Sequence, residues 1–578
     1  MTTFETVAQM KLAHLRAAQW VQTKGYNTAG DGGGADYLTA GSQAVDGYGD
    51  HLLAGGTVAL LQTNIVVNVK DYGAEGDGVA DDTAAIQAAY TFVRLAGGGS
   101  VRYPAGVYLV TESIVVGSNT RTAGCGWASS IKAHQTLFTG TNAGGNCYLL
   151  KNYNHGVAAL TDENLIVEDI VLDYGAVTIV GGGAHAISFR YVDRVTIHNV
   201  IGIRGENVTA LLACKDTVTD SCHGVDQINA YFDHWDGAGN CKVINCTGRT
   251  QYNIAQGIQF TGTSSALGAR SSLDAVVAFN SIYNVKGATG SSTAIISNAN
   301  AAGASSYRFK SFGNYVEDSD IGLAFAGEGG QHLSMGDTFK DVLQLPIFMQ
   351  HDGTDAPNDC RVIDPHLIDC DHATGNVALV SMAGDDNAVR GLRITNSGAA
   401  LYNLVTWFTS NANDCLVELE KGPAGAGGTV QNNGTGCTFI RERQEGSWTP
   451  VLTFATPGDV AVTYAAQLGS YVIEGNRLTI HFNLLTSAFT HTTAAGEVRI
   501  AGLPLAAINI VGQQNVGSLE WGGITKGGYT AAVANVHENQ SHINVEMCGS
   551  GVSPTIITSA EMPTGGQVAL RGKVEVII

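Results

Sequence analysis

Between about residue 165 and residue 440 the chain repeats one pattern, a short apolar run ending in small or polar residues. The runs are HAISFRY (185–191), YFDHWDG (231–237), GIQFTGT (257–263), TAIISNA (293–299), GLAFAGE (322–328), PIFMQHDG (346–353), ALVSMAG (378–384) and LVTWFTS (404–410). Taking Phe232, Ile258, Ile295, Leu323, Ile347, Leu379 and Val405 as equivalent gives steps of 26, 37, 28, 24, 32 and 26 residues. A second series falls between them: KVINC (242–246), AVVAFNS (275–281), YRFKSFGN (307–314), LSMGDTF (333–339) and RVIDPHL (361–367). Two strand series at one loose period predict the coils of a solenoid with inserted loops. Each coil adds one strand per face, ~4.8 Å from the next. Alternation turns Ile258 and Phe260 inward and Gln259 outward. It also leaves Phe348 and Phe408 as outward apolar residues. Glycine and asparagine suit the tight corners. A sandwich or barrel shares the composition but not this register.

The two ends differ from the middle. Thr3 to Val21 carries one helical stripe, Phe4, Ala8, Leu12, Leu15 and Ala18. The glycine-rich turn segment TKGYNTAGDGGGADYL follows. From Val67 the texture changes. Asp82 or Thr83 is a helix N-cap, and Ile86, Ala89, Tyr90 and Val93 follow at helical spacing. The helix stops at Gly97-Gly98-Gly99, and SVRYPAGVYLV (100–110) reads as a strand. After Gly446 the alternation in GSWTPVLTFATPGDVAVTY, GSYVIEGNRLTIHFNLLTS and HTTAAGEVRIAGLP predicts antiparallel strands, with RLTIHFN (477–483) as a compact example. The pattern gives no assignment for residues 505–578. The expected fold is all-β: a parallel β-helix with a short N-terminal segment and a C-terminal antiparallel β-domain.

Composition narrows the function. Of 578 residues 74 are glycine and 44% are hydrophobic, so a large core is possible. The formal charge of −20 opposes nucleic acid and anionic membrane as partners. The 11 cysteines form no Cys-x-x-Cys pair and read as small buried apolar residues, not as a zinc site or disulfide framework. No run approaches a membrane span, and the N-terminus lacks a signal peptide's basic start and apolar run.

GAEGDGVADDTAAIQAA together with GGGSVRYPAGVYLV, about 45 residues, resembles the opening segment of pectate-lyase-like right-handed β-helices in phage tailspikes. That resemblance implies a helix capping the open end of the solenoid, with Asp77, Asp81 and Asp82 as structural turn and cap residues. Gly446 to Pro504 resembles the C-terminal β-rich domain of tailspikes and tail fibres, which supports trimers and can bind carbohydrate. The implied organisation is an attachment segment (1–66), a right-handed β-helix (67–445) and a C-terminal β-sandwich-like trimerisation or carbohydrate-binding domain (446–578). The implied protein is a homotrimeric virion component, made in the host cytoplasm without a signal peptide. Its N-terminal segment joins a baseplate or another tail protein, and it depolymerises a bacterial surface polysaccharide. No cofactor, metal, nucleic acid or membrane insertion is expected. A lyase on the same scaffold and a non-enzymatic adhesin are the alternatives.

Cleaving a glycan by hydrolysis takes two carboxyl groups flanking the bond. YFDHWDG is the richest segment. Its register turns Asp233 and Trp235 outward, buries Phe232 and His234, and leaves Asp236 at the strand end. Asp233 and Asp236 are one candidate pair, and their spacing resembles the carboxylates of some tailspike endoglycosidases. Trp235 and Gln259 would hold sugar. The second candidate is Glu328, aligned with Asp352 on the next coil, ~5 Å away at backbone level. His351 aligns with Gly327 and Gln350 with Ala326, so His351 also reads as substrate-binding. Asp226, Glu317, Asp318, Asp320, Asp341, Asp369, Asp371, Asp385 and Asp386 read as turn and solubility residues. A lyase would need a base such as His223, Tyr231, Arg249 or His351. The negative charge of the traced groove favours hydrolysis of neutral or weakly charged repeats over elimination from a uronate.

Overall fold

The computed structural model describes residues 1–63, 65–135, 147–175, 177–179, 183–235, 239–265, 268–287, 290–300, 303–351, 355–370, 378–395, 404–421, 429–440, 443–475, 477–507 and 514–578. The chain forms two compact units. The first holds residues 1–390, 394–415 and 428–437; the second is built mainly on 438–578.

The first unit is a parallel β-helix. One face is a row of parallel strands that includes His185–Arg190, Asn207–Leu212, Ala230–Trp235, Gln256–Ser265, Thr293–Ala299, Ile321–Ala326, Leu345–Gln350, Ala378–Asp385 and Leu404–Asn413. A second face stacks Lys242–Ile244, Val276–Ala278, Lys310–Phe312, Leu333–Met335 and Arg361–Ile363, the second series of the sequence. A third stack, from Thr247–Arg249 to His366–Ile368, was not separated from it by the pattern.

Along the first face Phe232, Ile258, Ile295, Leu323 and Ile347 are in register as expected. The last two equivalents are displaced by one residue, to Val380 and Thr406 in place of Leu379 and Val405. Leu379, Val380, Val405 and Thr406 are all buried, so hydrophobicity did not choose between the registers. A one-residue slip exchanges faces. It explains why Phe408, expected outward, is fully buried opposite Met382, whereas Phe348 on the outward side is half-buried.

Polar residues inside the coils pair along the axis. Asn280 Nδ2 donates to Asn314 Oδ1 (2.9 Å) and Asn314 Nδ2 to Asp337 Oδ1 (2.9 Å). The Ser311 and Ser334 hydroxyls donate to Asp337 Oδ2, each at 2.6 Å. Burial raises the Asp337 pKa, and these donors oppose it. At the corners Asp226, Asp318, Asp341, Asp369 and Asp386 adopt left-handed φ of 50–59°, the turn role read for them. Eight cysteines are buried, and among the described residues all eleven are free thiols.

The capping helix is Thr83–Leu95, burying Ile86, Ala89, Tyr90 and Val93 as the spacing predicted. Asp82 sits at the N-cap but turns its carboxylate to the Glu75 and Gly76 amides; Asp81 Oδ1 accepts from Thr83 N at 3.0 Å. The strand expected over 100–110 is two strands, Gly99–Arg102 and Gly106–Val110, because Pro104 lacks a ladder donor. The N-terminal stripe also breaks. Only Val7–Lys11 is helical, and Thr2–Phe4 and Trp20–Thr23 join a five-stranded sheet over Val7, Met10, Val21 and Tyr37. A short isolated helix is marginal, and pairing of the flanking strands satisfies more backbone.

The second unit is an antiparallel sheet running from Gln444–Trp448 through Ala461–Glu474 and Arg477–Thr490 to Ala569–Ile577, and on to the strands of 495–549. Arg477–Thr490 alternates as predicted, with Leu478, Ile480, Phe482 and Leu484 buried. Residues 514–577, silent in the sequence pattern, supply five more strands, and Val536, Ile543, Val545, Val574 and Val576 join the same core.

Candidate functional site

The first face of the β-helix presents an outward column set strictly by register: Arg190, Leu212, Trp235, Thr261, Asn298, Ala326 and Gln350. Neighbours in it are one coil apart. Trp235 is 45% exposed, as expected for an outward indole.

Asp233 shares its parity but not its exposure. It is 5% exposed and accepts from Asn207 Nδ2 at 3.1 Å, with the Trp235 side chain as a further hydrogen-bonding partner. Burial pushes its pKa up to about 8, so it is protonated at neutral pH. The expectation of an accessible carboxylate at Asp233 is therefore corrected. Gln259, opposite it, is 4% exposed and spends its amide on Thr261 Oγ1 (2.5 Å), which in turn donates to Asn298 Oδ1 (2.7 Å). It too is withdrawn from direct sugar contact. His234 is fully buried, stacked on Phe260 at 4.4 Å, and burial lowers its pKa to about 3. Asp236 and Asp352 lie outside the described residues.

Two coils past Asn298 the column reaches a groove of about 540 Å³, lined by Tyr307, Glu328, Gly329, His351, Asp355, Asn358, Asp385, Asn413 and their neighbours. Glu328 and His351, both named from the sequence, meet here. Asp355 and Asp385 add two carboxylates, so three successive coils each contribute one. Among the described residues no lysine or arginine lines the groove. Glu328, Asp355 and Asp385 are all exposed. Asp385 is held in place: its Oδ1 accepts from Asn413 Nδ2 and its amide donates to Asn358 Oδ1, both at 2.7 Å.

Backbone forms the floor. Gly329 and Gly330 pair with Ser306 and Tyr307 on one side and with Pro357 and Asn358 on the other. Their φ values are 146° and 148°, and an added Cβ would meet Ser306 O at 1.8 Å or Asn358 O at 2.0 Å. Any side chain here would force the coils apart and fill the groove.

Sequence reasoning passed over Asp355 and took Asp385 for a solubility residue. The slipped register is the reason for the second: it set Gly384, not Asp385, level with Glu328. Of the bases considered for elimination, Tyr231 is fully buried with its hydroxyl donated to Tyr283 O (2.8 Å), His223 is half-buried against Thr247 Oγ1 (2.6 Å), and the Arg249 guanidinium lies over the Tyr283 ring. None of the three lines the groove; His351 does. Among the described residues no group of three or more His, Cys, Asp or Glu is placed to hold a metal ion.

Residues 66–290 match the family model described as "Rhamnogalacturonase A/epimerase, pectate lyase-like". A mannuronan C5-epimerase (AlgE1) of Azotobacter vinelandii is 46% identical over 71 residues, 11% of this chain and 5% of that protein. The pre-neck appendage protein of Bacillus phage B103 is 27% identical over 222 residues, 33% of this chain and 24% of its own. The chain thus spans a small part of either relative. Among solved structures, the tailspike gp49 of Acinetobacter baumannii bacteriophage Fri1, a capsular polysaccharide depolymerase, aligns over 100% of this chain and 98% of its own at 12% identity, with a TM-score of 0.42. The residues matched by that family model, 66–290, fold as a capping helix and parallel coils.

Proposed function

We propose that the chain is a phage tailspike that binds a bacterial surface polysaccharide and hydrolyses it in the groove of Glu328, Asp355 and Asp385. The observation that carries this reading is the composition of that groove: three exposed carboxylates on consecutive coils, with no lysine or arginine among the described lining residues. Hydrolysis needs an acid and a base or nucleophile, and nothing else from the protein. Elimination needs a group that neutralises a uronate carboxylate, and this lining offers the opposite charge. Likeness to a phage appendage protein and to a family model of pectate-lyase-like enzymes supports the same reading.

Neighbouring coils are ~4.8 Å apart. At that spacing a pair one coil apart, such as Glu328 with Asp355, suits the ~5 Å geometry of retaining enzymes, and a pair two coils apart, Glu328 with Asp385, suits the wider gap that admits an attacking water. The anomeric configuration of the first product, followed by NMR, distinguishes the two. Reducing ends should appear when the protein meets capsule or O-antigen, with label from H₂¹⁸O at the new end. An unsaturated uronate absorbing in the ultraviolet would overturn hydrolysis in favour of a lyase, and binding without cleavage would make the protein an adhesin.

The working particle is a homotrimer joined to a baseplate or another tail protein through residues 1–66. Outward apolar residues such as Phe348 are material for its lateral contacts. Light scattering at micromolar concentration should give three times the monomer mass; a monomer would defeat the assignment. Deleting Gly446–Ile578 should weaken assembly or solubility.

A further inference from the structure

The column that ends at the groove begins at a charged cluster. Arg190 is its first residue, two coils before Trp235 and six before Gln350, ~10 Å and ~29 Å along the axis. Lys151 lies on the preceding strand, opposite Ser188. On a chain with net charge −20, neither Lys151 nor Arg190 forms an ion pair among the described residues. Arg190 Nη2 donates to Tyr148 Oη at 3.2 Å, and its guanidinium sits 5.9 Å from the centre of that ring. The Tyr148 ring packs against His155 (4.8 Å) and lies nearly parallel to His185 (5.7 Å, 13°). His155 Nε2 is 3.0 Å from Ser188 Oγ.

The imidazoles add no charge of their own. Burial holds His155 down to about 3 and His185 down to about 4, with Arg190 pushing the same way. Both are neutral near pH 7 and act as hydrogen-bonding groups. Of the carboxylates beside them, Glu206 stands 4.0 Å from His185 Nδ1 and accepts from the Gly183 and Ala184 amides, and Asp162 is taken up by Asn152 Nδ2 and the Asn154 amide, both at 2.7 Å. Two cations therefore remain, half-buried, against neutral rings that stiffen one of them. An arginine fork held this way matches a carboxylate.

We infer that Lys151, Arg190, Tyr148 and His155 form a subsite for the carboxylate of an acidic sugar residue in the glycan strand that reaches the groove. The inference rests on the proposed glycan-binding function and gives it a polarity. A uronate is attracted where the cations are and repelled where Glu328, Asp355 and Asp385 lie. The cluster thus seats the acidic unit of a repeat several sugars away from the bond that is cut. Neutral units then occupy the groove, consistent with its chemistry.

The test uses the full chain carrying Glu328→Gln, titrated by calorimetry and saturation-transfer NMR with D-glucuronate, D-galacturonate and D-mannuronate against D-glucose, D-galactose and D-mannose. At least one uronate should bind in the millimolar range, while its neutral counterpart binds at least tenfold more weakly. Arg190→Gln should lower uronate affinity at least tenfold and Lys151→Gln severalfold, both weakening further as salt rises. Circular dichroism and melting checks folding, and Lys151→Gln, on its own strand, keeps the test alive if Arg190→Gln unfolds. Equal binding of uronate and neutral sugar, no uronate binding, or affinity unchanged in both folded variants would overturn the inference. These titrations involve no cleavage, so they are read independently of it. Retained cleavage in Glu328→Gln would sink the catalytic reading and leave the subsite standing.

Discussion

Asp233 and Glu328 sit three coils apart on one face of one β-helix, and their surroundings give them opposite characters. At Asp233 the outward side of the sheet is covered: the carboxyl is 5% exposed and keeps its proton. At Glu328 the same side is open, floored by a glycine pair and faced by two more acids. Strand parity was the same at both and could not tell them apart. What differs is whether something lies over the sheet. In a solenoid the coil fixes where a residue points, while insertions between coils fix whether solvent or substrate can reach it.

The comparison breaks most visibly in activity. Glu328→Gln should lower polysaccharide cleavage by ~10²–10⁴-fold, the usual contribution of a positioned proton donor or acceptor, and Asp385→Asn or Asp355→Asn, whichever is its partner, by a similar factor. A reducing-end assay reads this, and equal activity in all three variants would move the chemistry elsewhere. Gly329→Ala should be nearly as damaging for a different reason. Its Cβ would fall 1.8 Å from Ser306 O at a left-handed φ, so melting temperature and cleavage should fall together.

Trp235→Ala sharpens the comparison at the exposed end. Losing an indole face for sugar stacking, ~1 kcal/mol, should weaken glycan binding several- to about tenfold with little change in kcat. Asp233→Asn should change cleavage least, by under about twofold. Its effect belongs to stability. The unfolded carboxyl ionises near pH 4 while the folded one holds its proton to about pH 8, so the folded state binds more protons between these values and loses stability as pH rises through that window. The asparagine variant cannot ionise. Its melting temperature should match the parent's near pH 4 and exceed it by pH 8; the reverse order would show that Asp233 is ionised in the fold.

Much of this architecture was legible in the chain. The strand series, the capping helix and five of seven register positions followed from apolar spacing, because a parallel coil must put one strand above another. The misplaced pair, Leu379 and Val405, fell where two adjacent positions are equally buried, and that slip hid Asp385. The acids that meet at the groove come from separate coils, and their convergence with Asp355 depends on the path of the chain between strands, which carries no period. Arg190, Lys151 and His155 were silent for the same reason. A lone arginine at the end of an apolar run looks like any solvated strand terminus until register sets it at the head of the column of Trp235.

The register also dictates how such a chain can assemble. Partners stacked on the first face lie between 22 residues apart, Ile187 to Thr209, and 37 apart, Ile258 to Ile295. Each contact is distant enough to require closing a loop, yet short against a chain of 578 residues. Every coil is the template on which the next is laid, and the Asn280–Asn314–Asp337 ladder is handed on one rung at a time. Folding can then nucleate on any coil and spread to its neighbours, so a substitution in a central coil interrupts growth in both directions, whereas the same substitution near residue 410 costs little more than its own coil.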